Sequence, residues 1–108
     1  MYAGSSHLKE VAWFDLNSHA NTKDVGLKLA NELDIHDMSG NVWERCADQW
    51  HQDFENVPKD GNAWIKGKSN TRVCRGGSWF SDSDDACRVA IRLNNFSDYR
   101  DYFTGFRV

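Results

Sequence analysis

Seven side chains in this 108-residue sequence have the donor chemistry of a metal or redox site: Cys46, Cys74, Cys87, His7, His19, His36 and His51. Their spacing does not assemble one. Three cysteines allow at most one internal disulfide, with three pairings open, and no pair has zinc-finger spacing, so buried free thiols are the reading. The histidines are dispersed among polar neighbours and read as surface residues, with no facial triad for non-heme iron. Contact chemistry is more visible. Between Trp79 and Gly105 lie 25 residues, of which 15 are Asp, Ser, Asn, Tyr or Phe, with no Lys, Glu, Gln, Gly or Pro. Tyr and Phe offer broad contact area at low entropic cost, and Ser and Asn offer adaptable hydrogen bonds. The stretch reads either as a contact surface or as a polar loop pair on a β-rich domain.

Something must hold that stretch. A chain of this length supplies one modest core or part of one. Five Trp, six Phe and three Tyr let few residues fill it, while a mean hydropathy of −0.71 marks the remainder as strongly polar. No apolar run is long enough to span a bilayer, and the first residues lack the pattern of a signal peptide. A net charge of −3 with both signs interspersed gives no footprint for nucleic acid.

The periodicity predicts a sheet with long loops. Residues 11–14 (Val-Ala-Trp-Phe) suggest a short buried strand, and 24–34 divides between helix and strand patterns. Ser39-Gly40-Asn41 is a turn, followed by a strand or extended buried segment over 42–50. A polar loop over 52–71 is anchored at Trp64-Ile65. A strand at 72–75 ends on Gly76-Gly77. Cys87, Val89, Ile91 and Leu93 alternate with Arg88, Ala90 and Arg92, which predicts a strand, and Phe106-Arg107-Val108 is expected to close the sheet.

Four ordered motifs, D-M-S-G-N-V-W-E (37–44), R-V-C-R-G-G-S-W (72–79), C-R-V-A-I-R (87–92) and G-F-R-V (105–108), together resemble the formylglycine-generating enzyme family, the sulfatase-modifying factors. A V-G-L-K-L-A-N-E-L segment (25–33) adds to the match, which starts near Tyr2. The resemblance implies an α+β, β-rich, C-type-lectin-like fold with much irregular loop, of which residues 1–108 form the C-terminal portion of one domain. A partial domain bares a core face, so the isolated chain is expected to be marginal or to be completed by a partner or by the missing N-terminal half. Three departures stand out. Arg45 replaces a Trp and must reach solvent or a carboxylate. Asp34 replaces a Gly that tolerates positive φ. Ala30 replaces a Pro, which gives the segment a helical look.

The resemblance also implies a metal site. Asp37 and Glu44 through their side chains, and Gly40 and Val42 through their carbonyls, match a calcium site of the family, and a glycine turn can bend carbonyls toward such a hard cation. The alternative is that Asp37 caps the turn and Glu44 pairs with an arginine, Arg75 or Arg92. Calcium binding would favour an extracytoplasmic location.

The family's enzymes use oxygen and a copper(I) ion held by two thiolates, which soft copper(I) prefers. Ser78 matches the active-site serine, but the thiolate positions fall on Ser81 and Ala86, with Cys87 one residue beyond. A hydroxyl and a methyl cannot replace thiolates, so copper and catalysis are not expected. The resemblance extends to family members whose C-terminal stretch is diversified by retroelements. The expected function is therefore presentation of a ligand- or protein-binding surface over residues 80–104, comprising Phe80, Asp82, Asp84, Asp85, Asn94, Asn95, Phe96, Tyr99, Asp101, Tyr102 and Phe103. The alternative is part of a sulfatase-modifying oxidoreductase that converts a substrate cysteine to formylglycine.

Overall fold

A computed structural model describes residues 1–67, 69–96 and 100–107. Two single-turn helices, α1 (Leu8–Val11) and α2 (Asp15–Ser18), precede strands β1 (Trp43–Gln49), β2 (Thr71–Arg75), β3 (Arg92–Phe96) and β4 (Thr104–Gly105), with a 3-10 turn at Asp84–Cys87. The strands form one sheet in the order β3-β2-β1-β4. β1 pairs antiparallel with β2, Glu44 opposite Arg75, with an irregularity between Arg45 and Gln49. β2 pairs antiparallel with β3, Cys74 opposite Leu93. β4 lies parallel to β1, with Trp43 opposite Thr104 and Glu44 opposite Gly105.

The Ser39-Gly40-Asn41 turn fastens the N-terminal segments to the sheet. The Asn41 N–H donates to the Trp13 carbonyl, its carbonyl accepts from Trp79, and the Gly40 N–H donates to the Gly76 carbonyl, all within 2.7 Å. The Asn41 side chain completes the junction by exchanging two hydrogen bonds with the Lys23 backbone, at 2.9 and 3.0 Å. Gly40 has no substitute here: at φ +76°, an added Cβ would lie 2.4 Å from the Trp13 carbonyl oxygen.

Beneath this turn, Leu8, Ala12, Phe14 and Cys87 pack as a small core with Tyr2 against them, while Val73 and Cys74 are buried on β2. The core is thin for the chain. The accessible surface is 7494 Å², against about 6,100 Å² for a compact protein of this mass. Much of the excess is apolar: Val25, Leu27, Leu29 and Leu33 are 62–80% exposed along one loop.

β1 and β2 lie where the sequence places them. Four other expectations are corrected. Within 11–14, Val11, Ala12 and Phe14 are buried and Trp13 half-buried, but no strand forms, because Val11 closes α1 and Ala12 turns extended as its C-cap. The 24–34 segment forms neither helix nor strand among its described residues; Asp34 takes φ +62°, as the Gly it replaces would. The alternation over 87–93 is no strand until Arg92, because Cys87 ends a 3-10 turn and Ile91 donates back to the Arg88 carbonyl. The Arg75 guanidinium takes up the Val89 carbonyl at 3.0 Å, where a ladder would need it. The closing strand is Thr104–Gly105, and Phe106 and Arg107 lie beyond its ladder, where the Arg107 side chain meets Glu44; Val108 lies outside the described residues. Trp64 anchors its loop by stacking on His51 at 3.5 Å and through Asp48, but Ile65 is 63% exposed.

Candidate functional site

Strands β1 and β3 and the 76–82 turn enclose a cleft of about 300 Å³. Its floor is polar and buried: the Ser78 N–H donates to Ser81 Oγ at 2.9 Å, and Ser78 Oγ accepts from the Phe80 N–H at 3.2 Å. Both serines are under 10% exposed. Phe80, Asp82, Asn95, Asp101 and Phe103 converge on this cleft, joined by Trp43 and Leu93 from the sheet. Trp79 makes a platform beside it, with Phe80 and Phe103 ring centroids at 5.6 and 5.3 Å. The Trp79 indole N–H donates to the Tyr102 carbonyl at 2.7 Å, and Tyr102 lines a second hollow with Trp79, Phe103 and residues 20–22.

The remaining surface residues do not gather there. Asp84 and Asp85 are exposed on the 3-10 turn, Asp85 facing Arg88 at 3.5 Å. Asn94 and Phe96 are exposed on edge strand β3, opposite Val73 and Thr71. Tyr99 lies outside the described residues, as does Asp98. Arg92 does not pair with Glu44. It donates to the His51 and Gln52 carbonyls and lies over the Trp50 and Phe54 rings at 4.4 and 4.5 Å. Trp79 and Trp43 escape sequence reasoning; a tryptophan two residues after the Gly76-Gly77 turn is the one signal that could point to the platform.

The same cleft holds Ser81 and Ala86, the positions to which the resemblance assigns the copper thiolates, and their side chains do not fit that metal. Ser81 offers a hydroxyl and Ala86 a methyl. Cys87 is fully buried, its Sγ packed on the backbone turn so closely that a Cβ at Gly77 would meet it at 2.6 Å. Burial pushes the Cys87 thiol up to about 11, against the opposing hydrogen bonds of Ser81 and the Gly40 backbone. Burial likewise raises Cys46 and Cys74, and Arg45 lies against the Cys74 thiol.

A second cleft, of about 600 Å³, gathers Asp37, Gly40, Val42 and Glu44 with His36 and Arg107. Asp37 is buried at φ +59°. Its Oδ2 accepts from the Gly26 N–H at 2.7 Å, whereas Oδ1 is buried with no hydrogen-bond partner among the described residues. Glu44 is paired by Arg107, at 3.0 Å to Nε and 2.5 Å to Nη2, and not by Arg75 or Arg92. This pairing holds the guanidinium still more firmly protonated. Sequence spacing could not reveal it, because only the parallel placement of β4 beside β1 brings residue 107 to residue 44.

The family model of the sulfatase-modifying factor enzyme 1-like domain matches residues 3–108. The chain belongs to this family. The family domain is 36% identical over 102 residues to the chaperone protein LppX of Paenibacillus barcinonensis, covering 79% of this chain and 32% of that protein. It is 30% identical over 104 residues to the formylglycine-generating enzyme of Thermomonospora curvata, covering 84% and 32%. The chain thus spans about a third of the length of these relatives. Among solved structures, Treponema denticola variable protein 1 superimposes with a TM-score of 0.80 at 32% identity, over 95% of this chain and 38% of that one. PvdO from Pseudomonas aeruginosa gives 0.83 at 28%, over 98% and 42%. The fold is therefore the sheet-dominated α+β fold of the formylglycine-generating enzymes and their relatives, as the resemblance implied. No helix among the described residues is long and apolar enough to cross a membrane.

Proposed function

We propose that this family domain is non-catalytic and presents residues 80–104 as a binding surface for a protein or small ligand. The observation that carries the reading is the convergence of Phe80, Asp82, Asn95, Asp101 and Phe103 on one cleft, beside rings left 61% (Phe80) and 85% (Tyr102) exposed. Exposed rings on a fixed platform are what binding hot spots need. The likeness to a protein named for its variability supports a further reading, that codons 79–105 are diversified by a retroelement. An adenine-rich template copy of those codons beside a reverse-transcriptase gene is the expected genomic finding; its absence leaves an undiversified domain.

At the bench, peptides selected on the wild-type chain from a random display library should lose binding to Phe80→Ala/Tyr102→Ala while the thermal melt stays unchanged. Collapse of the melt would make these rings core. Retained binding would move the site elsewhere. Turnover of a Cys-x-Pro-x-Arg peptide with copper(I) would restore an enzymatic role.

We also propose that Asp37 and Glu44, with the Gly40 and Val42 carbonyls, hold a hard cation, calcium before magnesium; the orphaned Asp37 Oδ1 supports it. Finally, the bared row Val25–Leu33 supports completion of the fold by a partner or by further sequence of the domain.

A further inference from the structure

The Asp37–Glu44 cleft contains a cation already, and it belongs to the chain. Arg107 grips both carboxylate oxygens of Glu44, through Nε at 3.0 Å and Nη2 at 2.5 Å, and the same Nη2 donates to the Asp37 carbonyl at 3.2 Å. Such a fork is among the stronger polar contacts available to a side chain. Yet it leaves the site half satisfied. The guanidinium reaches Asp37 only at its backbone, while Asp37, 8% exposed, keeps Oδ1 buried without a hydrogen-bond partner among the described residues. A compact divalent ion carries twice the charge and takes oxygen ligands from several directions at once, which a planar fork cannot do.

We propose that Arg107 is the resident cation of this site, and that a divalent metal ion and the Arg107 side chain are alternative occupants of it. The proposal rests on reading the Asp37–Glu44 turn as a hard-cation site. Its consequence runs through β4. That strand is two residues long and, among the described residues, pairs with Trp43 and Glu44; Arg107, two residues beyond, is its outer fastening. When Glu44 exchanges Arg107 for metal, the fastening is released, and Phe103, which accepts from the Trp43 N–H, is directly upstream. The state of the cation site thereby reaches the wall of the binding cleft.

The test is calcium titration by calorimetry of wild type, Arg107→Gln and Glu44→Gln, with the Arg107 Nε–Hε resonance of the wild type followed by NMR. Arg107→Gln should bind calcium at least about ten-fold more tightly than wild type, equivalent to about 1.4 kcal/mol. Glu44→Gln should bind none. Calcium should move the wild-type Nε–Hε resonance to the position of a solvent-exposed arginine, a readout that needs no variant to fold. Equal affinities for wild type and Arg107→Gln would overturn the competition and leave the cation site standing. No binding by a folded Arg107→Gln would remove both.

Discussion

The indole nitrogen of Trp79 donates to the carbonyl of Tyr102, 23 residues further along the chain, at 2.7 Å. The bond ties the two ends of the polar-aromatic stretch, so that a segment with little regular structure has fixed limits. Trp79→Phe keeps an aromatic six-membered ring and removes the donor. It should cost about 0.5–1.5 kcal/mol, measured as a shift in the urea midpoint, with faster amide exchange at Phe103 and Thr104. If exchange there is unchanged, the bond does not hold the stretch.

Asn41 should matter more than its polarity suggests. Asn41→Ala removes the two bonds to Lys23 and leaves alanine at φ +64°. Two bonds at about 1 kcal/mol each and a left-handed alanine at about 1 kcal/mol predict a loss of about 2–3 kcal/mol by chemical denaturation. Asn41→Gly, which keeps the backbone conformation and loses only the bonds, should recover about a third of this.

Gly77 tests the packing of Cys87. Both Gly77 and Gly61 sit at positive φ, +75° and +81°, but only at Gly77 would a methyl meet an atom, Cys87 Sγ at 2.6 Å. Gly61→Ala should cost about 1 kcal/mol of strain alone. Gly77→Ala should cost about 1–3 kcal/mol more from overpacking. Equal losses would mean that the core yields freely around Cys87.

Stability should fall in alkali, with the sign set by Cys87. Its thiol titrates near 11 when folded and near 9.0 when not, so between those values the unfolded chain binds fewer protons than the folded one. Stability is then full below pH 9 and declines by about 2–3 kcal/mol as pH approaches 11. The upward shifts of Cys46 and Cys74 act in the same direction. The decline, followed by urea melts across pH, should become shallower in Cys87→Ala. The same burial should leave Cys87 unreactive to iodoacetamide at pH 8 in the folded chain.

How much of this was legible in the sequence depends on whether a feature is local. The Ser39-Gly40-Asn41 turn, the Gly76-Gly77 break and the strands β1 and β2 between them are written in turn chemistry and short apolar runs, and are legible. The alternation from Cys87 to Leu93 misled, because period two is not sufficient for a strand. The Arg75 side chain takes the Val89 carbonyl, so no ladder forms there. The binding cleft was half legible: the residue types marked the stretch, but which of them face one another depends on the register of β3 against β2, and Asn95 faces the cleft while Asn94 does not. The Glu44–Arg107 pair was not legible at all, since it spans 63 residues and depends on a parallel edge strand two residues long.

That edge strand also sets an order of events. Pairing Thr104 with Trp43 must close a loop of about sixty residues for very few backbone bonds, an entropic cost that favours late formation. The β1–β2–β3 meander, with shorter loops and longer ladders, has every reason to assemble first. The proposed binding wall at Asp101–Phe103, which leads directly into β4, is then the last to be ordered and the first to open. In a domain whose proposed role is to vary and display that wall, this separation is useful. Substitutions there act after the rate-limiting step, so they should alter the unfolding rate and leave the folding rate nearly untouched.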